Sequence, residues 1–134
     1  MLKKLTILYA LFLATIVAGA NTGLLKPFLD WLHILPLGDK VCHFVLVGML
    51  SFLVSVTLSF KIRRWPKVTV VLCTIVILAT LASLEEFSQS LFPLRRFSLT
   101  DLLANVLGTV FFGAMAFFVP TEDAAEPTRD VAPQ

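Results

Sequence analysis

Four long apolar runs, separated by shorter polar stretches, form the main pattern of the chain. They cover residues 5–20, 41–60, 68–84 and 102–119. A helix needs about 20 mostly apolar residues to cross the hydrocarbon core of a bilayer, and the runs approach or reach that length. An isolated strand cannot satisfy its backbone hydrogen bonds in lipid, so we expect helices. The pattern predicts an all-α membrane protein with four transmembrane helices in an up-down bundle.

The first apolar run leaves two alternatives open. It is short for a span, it follows Lys3 and Lys4, and it ends in the small residues Ala18, Gly19 and Ala20. Those features are also typical of a cleaved signal peptide. We expect a retained helix, with removal of residues 1–20 as the alternative, and both place the next residue on the outer side.

The connection between the first two runs has an apolar face of its own. Four apolar side chains are spaced as along one side of a short helix: Phe28, Trp31, Leu32 and Leu35. An amphipathic helix that carries tryptophan is typical of the lipid headgroup layer. The spacing therefore predicts a short interfacial helix after the first span, with Asp30 and His33 in solvent.

Composition supports a membrane protein and argues against other classes. Of 134 residues, 57% are hydrophobic and 15% are charged, with a mean hydropathy of +0.89. A soluble domain of this size could not bury so much apolar surface. The net charge of +2 is spread over helix ends rather than gathered in a basic patch, so we expect no nucleic-acid partner and no cofactor.

Basic residues predict the orientation in the membrane. Residues 61–67 contain Lys61, Arg63, Arg64 and Lys67, which by the positive-inside rule mark a cytoplasmic loop. Both termini are then expected in the cytoplasm, in a multi-pass protein of the cytoplasmic (inner) membrane. The transmembrane domain is predicted over residues 1–119, and residues 120–134, rich in alanine, proline and charge, are predicted to be a disordered cytoplasmic tail.

This orientation brings polar residues from three separate segments to the outer ends of the helices. Polar groups in membrane helices tend to face the bundle interior or a wet cavity. The sequence therefore predicts an extracytoplasmic polar pocket, with these binding candidates: Asp39, Lys40, His43, Glu86, Gln89, Arg95, Asp101 and Asn105.

Several of these residues also have purely structural alternatives. Asp39 could cap the second span, and Ser98-x-x-Asp101 matches a capping box, in which Asp101 serves its own helix end. Asn105 could join helices by hydrogen bonding, and Gly108 could allow their close approach. Glu86 is harder to explain structurally, because a carboxylate there calls for a nearby cation such as Arg95 or Lys40.

The ordered set of polar residues resembles a known family. Asp39-Lys40-x-x-His43, Glu86-x-x-Gln89, Pro93-x-Arg95 and Asp101-x-x-x-Asn105-x-x-Gly108, over roughly residues 36–118, look like the VanZ-like family of small membrane proteins. The chain departs from the family pattern at Leu94, where glycine often stands, and at Val47, where an aromatic residue often stands. The family takes its name from a protein linked to low-level resistance to the lipoglycopeptide teicoplanin, and the resemblance implies a role in the cell envelope.

Three classes of function remain open at the level of sequence. The first is a non-enzymatic pocket for membrane lipids or for an amphiphile such as a cell-wall precursor or lipoglycopeptide, affecting susceptibility to teicoplanin-type antibiotics. The second is a membrane-embedded enzyme for a lipid-linked substrate, with Glu86, His43 and Asp101 as catalytic candidates. A metal held by those three residues is a variant of it, although we predict no metal. The third is a structural or assembly subunit, and the oligomeric state is left open.

Overall fold

The computed structural model describes residues 1–121, and within that range every regular element is helical. Short 3₁₀ turns, Gln89–Leu91 and Ala116–Phe118, extend the last two helices. The α-helices in chain order are α1 (Leu2–Asn21), α2 (Lys26–Ile34), α3 (Gly38–Lys61), α4 (Lys67–Ser88) and α5 (Leu99–Met115). The predicted tail falls almost wholly outside the described residues.

Four of the helices are long and apolar enough to cross a membrane. These are α1, α3, α4 together with its 3₁₀ turn, and α5 together with its own. The predicted all-α class and the four predicted spans are therefore confirmed, and the chain is a multi-pass membrane protein. The up-down order, the choice of membrane and the side on which the termini lie stay predictions.

The burial pattern is inverted relative to a soluble protein. The most fully buried side chains are mainly polar: Ser51, Ser55, Glu86, Asn105 and Thr109, with Val71. Large apolar side chains point outward, such as Leu8, Val76 and Leu107 at 65%, 64% and 61% exposure. Lipid tails are as apolar as leucine, so helices in a bilayer associate through small and polar residues instead.

The tightest packing lies between α3 and α5, as predicted for Gly108. A methyl group on Gly108 would overlap the carbonyl oxygen of Phe44 and lie 2.9 Å from the Phe44 Cα. A methyl group on Gly48 would lie 2.8 Å from the Gly108 carbonyl oxygen. Ser51 Oγ donates a hydrogen bond to the Thr109 carbonyl at 2.9 Å, across the same seam. Glycine is therefore needed here for backbone contact rather than for an unusual backbone angle.

Helix α1 joins the others through polar side chains that reach α3. Thr6 Oγ1 lies 2.8 Å from Thr57 Oγ1, and Tyr9 donates its hydroxyl hydrogen to the Leu46 carbonyl at 3.0 Å. These contacts give α1 a place beside α3. The retention of residues 1–20 in the mature chain stays a prediction.

The predicted short helix between the first two spans is present as α2. Of its predicted apolar face, Leu32 is buried, whereas Phe28 and Trp31 are 52% and 54% exposed. Leu32 packs toward the helices, and the two exposed rings lie 6.0 Å apart between their centres. Their location in the lipid interface stays a prediction.

The start of α3 differs from the predicted one. The helix begins at Gly38, its N-cap is Leu37 in the left-handed conformation at φ 62°, and no side chain caps it. The alternative in which Asp39 caps the helix is therefore wrong. Asp39 instead lies inside the first turn, where the helix dipole favours a negative charge and where its carboxylate is free for other contacts.

Candidate functional site

A cavity of about 500 Å³ lies at one end of the helices. It is formed where the N-terminal ends of α3 and α5 approach α2 and the segment that follows α4. The lining includes these predicted binding residues: Asp39, Lys40, His43, Gln89, Arg95 and Asp101. Glu86 and Asn105 are not in the lining, and both are buried, at 0% and 1% exposure. The structure thus brings three distant segments together as expected, with two of the predicted residues behind the cavity wall.

Asp101 is the most buried carboxylate that lines the cavity. Its residue exposure is 6%. Its Oδ1 lies 3.3 Å from the Lys40 ammonium nitrogen, yet that oxygen accepts no hydrogen bond within the part of the chain that the structure describes. A buried carboxylate is costly unless it is paired and hydrogen-bonded, so Asp101 relies on a cation in the cavity.

The N-terminus of α5 uses half of the predicted capping box. Ser98 Oγ accepts the Asp101 backbone N–H at 3.4 Å, which confirms Ser98 as the N-cap. The reciprocal bond differs, because the Ser98 backbone N–H donates to Glu86 Oε1 at 3.0 Å. A carboxylate from another helix has taken the place that Asp101 was predicted to fill, which leaves the Asp101 side chain facing the cavity.

Glu86 acts as a link between α4 and α5 rather than as a cavity group. Besides the Ser98 N–H, it accepts Gln89 Nε2 at 3.1 Å through its other oxygen. Glu86 forms no ion pair within residues 1–121. Lys40, one of the two cations expected beside it, pairs with Asp101 instead. Both carboxylate oxygens are occupied, which favours a structural role, and the role of Glu86 as a catalytic base stays a prediction.

His43 stands between a hydrogen-bond acceptor and a carboxylate. Its Nδ1 lies 3.1 Å from Asn105 Oδ1, and its Nε2 lies 3.8 Å from Asp39 Oδ1. Asn105 therefore does join α5 to α3, as its structural alternative predicted. The same contact fixes the orientation of an imidazole that borders the cavity, whereas a binding role for Asn105 itself, which is not in the lining, stays a prediction.

Helix α2 contributes a side of the cavity that sequence reasoning missed. Lys26, Asp30 and His33 line it, and Lys26 Nζ forms an ion pair with Asp30 Oδ2 at 2.7 Å. His33 Nε2 lies 3.4 Å from Asp39 Oδ2. The side chains of Asp30 and His33 are 59% and 61% exposed, in agreement with the expectation that they lie in solvent, and both also border the cavity. Asp30 follows Lys26 by four residues and His33 follows Asp30 by three, which places all three on one helical face; this spacing was the available signal.

Two of the cations that line the cavity form no ion pair with a carboxylate of residues 1–121. Four lining residues are basic, Lys26, Lys40, Arg95 and Arg96, and three are acidic, Asp30, Asp39 and Asp101. The two lysines form ion pairs with Asp30 and Asp101. Within the described chain, none of the ion pairs involves Arg95 or Arg96. Arginine is the side chain best suited to planar, bidentate contact with carboxylate or phosphate.

Comparison with known proteins agrees with the motifs. A family model described as VanZ/LLP1 matches residues 4–120. The chain is 32% identical over 99 residues to "Uncharacterized protein C11E3.10" of Schizosaccharomyces pombe, an alignment that covers 74% of this chain and 56% of that protein. The chain thus spans little more than half the length of that relative. No solved structure matches significantly. Because the family model spans nearly all the described residues, the chain belongs to the VanZ/LLP1 family.

Proposed function

We propose that the cavity binds the anionic head group of a membrane amphiphile. The observation that carries this proposal is that Arg95 and Arg96 both line the cavity and that neither forms an ion pair inside the described chain. Charge-assisted bonds from arginine to phosphate or carboxylate are about twice as strong as neutral ones. An anion at this position would meet two cations that no carboxylate of residues 1–121 pairs with.

The surroundings of the cavity favour a ligand with an apolar tail. The cavity volume of about 500 Å³ falls in the range of small-molecule sites. Exposed apolar side chains lie beside the two arginines in the chain, with Leu94 at 55% and Phe97 at 38% exposure. A phosphate or sugar head group would occupy the cavity, and its acyl or prenyl tail would extend along the lipid-facing surface.

The orientation proposed from the basic loop places this cavity on the extracytoplasmic side. Envelope lipids, cell-wall precursors and lipoglycopeptides are the amphiphiles that meet that surface. We propose that occupancy of the cavity by such a molecule alters susceptibility to teicoplanin-type antibiotics.

Retention of lipid by purified protein tests the proposal. Native mass spectrometry from mild detergent, after incubation with phosphatidylglycerol or with phosphatidylcholine, would compare the wild type with Arg95→Gln and Arg96→Gln. Arg64→Gln is the matched control for each single variant, because it removes one positive charge from the loop between α3 and α4. We expect preferential retention of phosphatidylglycerol by the wild type and the control, and its loss in the double variant.

The same variants give a cellular readout. Host cells that express the double variant should lose any change in teicoplanin susceptibility that the wild type confers, at equal protein level. If the double variant matches the Arg64→Gln control in both lipid retention and susceptibility, the arginines do not bind the head group and the proposal fails.

Catalysis is a second candidate, favoured by the grouping of His43 with Asp39 and Asp101. A base and two carboxylates at the cavity wall could move a proton on a bound head group. Purified protein incubated with radiolabelled lipid-linked precursors would show turnover that His43→Gln abolishes. Binding without turnover would leave the non-enzymatic pocket as the function.

A further inference from the structure

Three potential ligand atoms converge at the wall of the cavity. One nitrogen of His43 and one oxygen each of Asp39 and Asp101 all lie within 4.8 Å of one another. They come from two helices, because Asp39 and His43 are one turn apart on α3 and Asp101 lies in the first turn of α5. Glu86 is not part of the group, since both of its oxygens accept hydrogen bonds elsewhere.

The hydrogen bond between His43 and Asn105 determines which ring nitrogen faces the carboxylates. Asn105 Oδ1 is an acceptor, so the Nδ1–H of His43 donates to it at 3.1 Å. In the neutral ring, Nε2 then carries the lone pair, and this atom is the one 3.8 Å from Asp39 Oδ1. A lone pair directed at a carboxylate calls for a cation between them. Histidine ligands of metals show this arrangement, with the second ring nitrogen donating to an acceptor.

Asp101 gives a second, independent indication of a cation. Its side chain is only 9% exposed, and its buried Oδ1 accepts no hydrogen bond from residues 1–121. The Lys40 ammonium is 3.3 Å away, on a side chain that is 37% exposed. That lysine can withdraw into solvent, and an ion in the cavity would then neutralise the carboxylate in its place.

We propose that Asp39, His43 and Asp101 bind a divalent transition-metal ion, with Zn²⁺ as the best fit. Carboxylate and imidazole ligands together favour zinc over magnesium or calcium, which prefer oxygen alone. Two ligand atoms of one tetrahedral zinc ion are about 3.4 Å apart, so rotations that move the present atoms by roughly an ångström would complete the site.

The three protein ligands would leave a fourth position open toward the cavity. Such an open position is typical of zinc sites that contact a ligand or substrate. His33, 3.4 Å from the second oxygen of Asp39, would orient that carboxylate from outside the site. The metal site stands independently of the head-group proposal, because its binding can be measured without lipid.

Titration of chelator-treated, full-length protein in detergent with zinc chloride tests the site. We expect one zinc ion per chain by calorimetry and by elemental analysis after desalting. Asp39→Asn, Asp101→Asn and His43→Asn should each weaken zinc binding at least tenfold. Asp30→Asn is the matched control, because it removes the same charge from the cavity lining outside the cluster, and it should bind zinc as the wild type does.

Two further variants keep the test decisive if a ligand variant fails to fold. Lys40→Met removes the competing ammonium and should strengthen zinc binding, an effect that no unfolding can mimic. Asn105→Leu should weaken it by about 10–100-fold through loss of the outer contact to His43. Cobalt substitution should give visible absorption bands that change in His43→Asn. Absence of stoichiometric zinc, equal weakening by Asp30→Asn, or weakening by Lys40→Met would overturn the proposal.

Discussion

Gly108→Ala is the sharpest test of the packing that forms the cavity wall. The new methyl group would overlap the Phe44 carbonyl oxygen and lie 2.9 Å from both the carbonyl carbon and the Cα of Phe44. These are backbone atoms in the second turn of α3, so they cannot turn aside as a side chain can. Helices α3 and α5 would have to move apart, and the separation would act on His43, which precedes Phe44 directly, and on Asn105, one turn before Gly108.

The expected loss of stability follows from three contributions. Overpacking of a tight interface costs about 1–3 kcal/mol. Stretching the 3.1 Å contact between His43 and Asn105 beyond hydrogen-bonding distance costs about a further 0.5–1.5 kcal/mol. Alanine is better than glycine inside a helix by about 1 kcal/mol, which offsets part of this. The sum predicts that Gly108→Ala lowers the free energy of unfolding by about 0.5–3.5 kcal/mol.

Gly19→Ala provides the matched control for the same chemical change. A methyl group on Gly19 would lie 3.1 Å from Leu25 Cγ, a side-chain atom that can shift. Unfolding of both variants in mixed micelles, with increasing fractions of denaturing detergent, would give the two free energies. We expect Gly19→Ala to match or exceed the wild type in stability. If Gly108→Ala is as stable as Gly19→Ala, the close backbone contact between α3 and α5 does not exist.

Other predictions concern the links between helices and the orientation. Glu86→Leu should leave the Ser98 N–H unsatisfied, lowering the free energy of unfolding by about 1–3 kcal/mol, whereas the Gln89 amide keeps its hydrogen bond to Glu85. No loss in the mixed-micelle assay would contradict the link. Thr6→Val and Thr57→Val should be non-additive in a double-mutant cycle, with a coupling of about 0.6 kcal/mol, whereas full additivity would show that the hydroxyl contact is absent. With both native cysteines replaced by serine, Arg64→Cys should be labelled by a membrane-impermeant reagent only after the cells are permeabilised; labelling of intact cells would reverse the orientation.

The sequence predicted the helices well because a bilayer imposes a simple requirement on them. A spanning helix must be long and apolar, so the four runs alone located α1, α3, α4 and α5. The ends were harder to predict, because they depend on backbone conformation. Leu37 adopts a left-handed conformation before α3, which apolar periodicity does not reveal, and Asp39 was therefore wrongly considered as its cap.

The sequence predicted most of the residues that line the cavity, but not which of them contact each other. Polar residues at corresponding helix ends had to meet, and six of the predicted residues do line one cavity. The choice of partner depends on distances of an ångström or less. Lys40 contacts Asp101 rather than Glu86, and Ser98 donates to Glu86, twelve residues away, rather than to Asp101. The contribution of α2 was missed because Asp30 and His33 were expected in solvent, and apolar spacing alone does not show that the solvent they face is the cavity.

Hydrogen bonds hold the backbone at both ends of the segment that carries the two arginines. This order affects how the segment binds a ligand. The Phe92 backbone N–H donates to the Gln89 carbonyl at 3.1 Å, and the Arg95 N–H donates to the Phe92 carbonyl at 3.1 Å. The Ser98 N–H, held by Glu86, closes the other end at 3.0 Å. Such a preorganised loop has already given up much of the conformational entropy that binding would otherwise remove. The backbone positions of its two arginines are thus largely set before a ligand arrives, so the remaining entropic cost of binding falls mainly on ordering the two side chains.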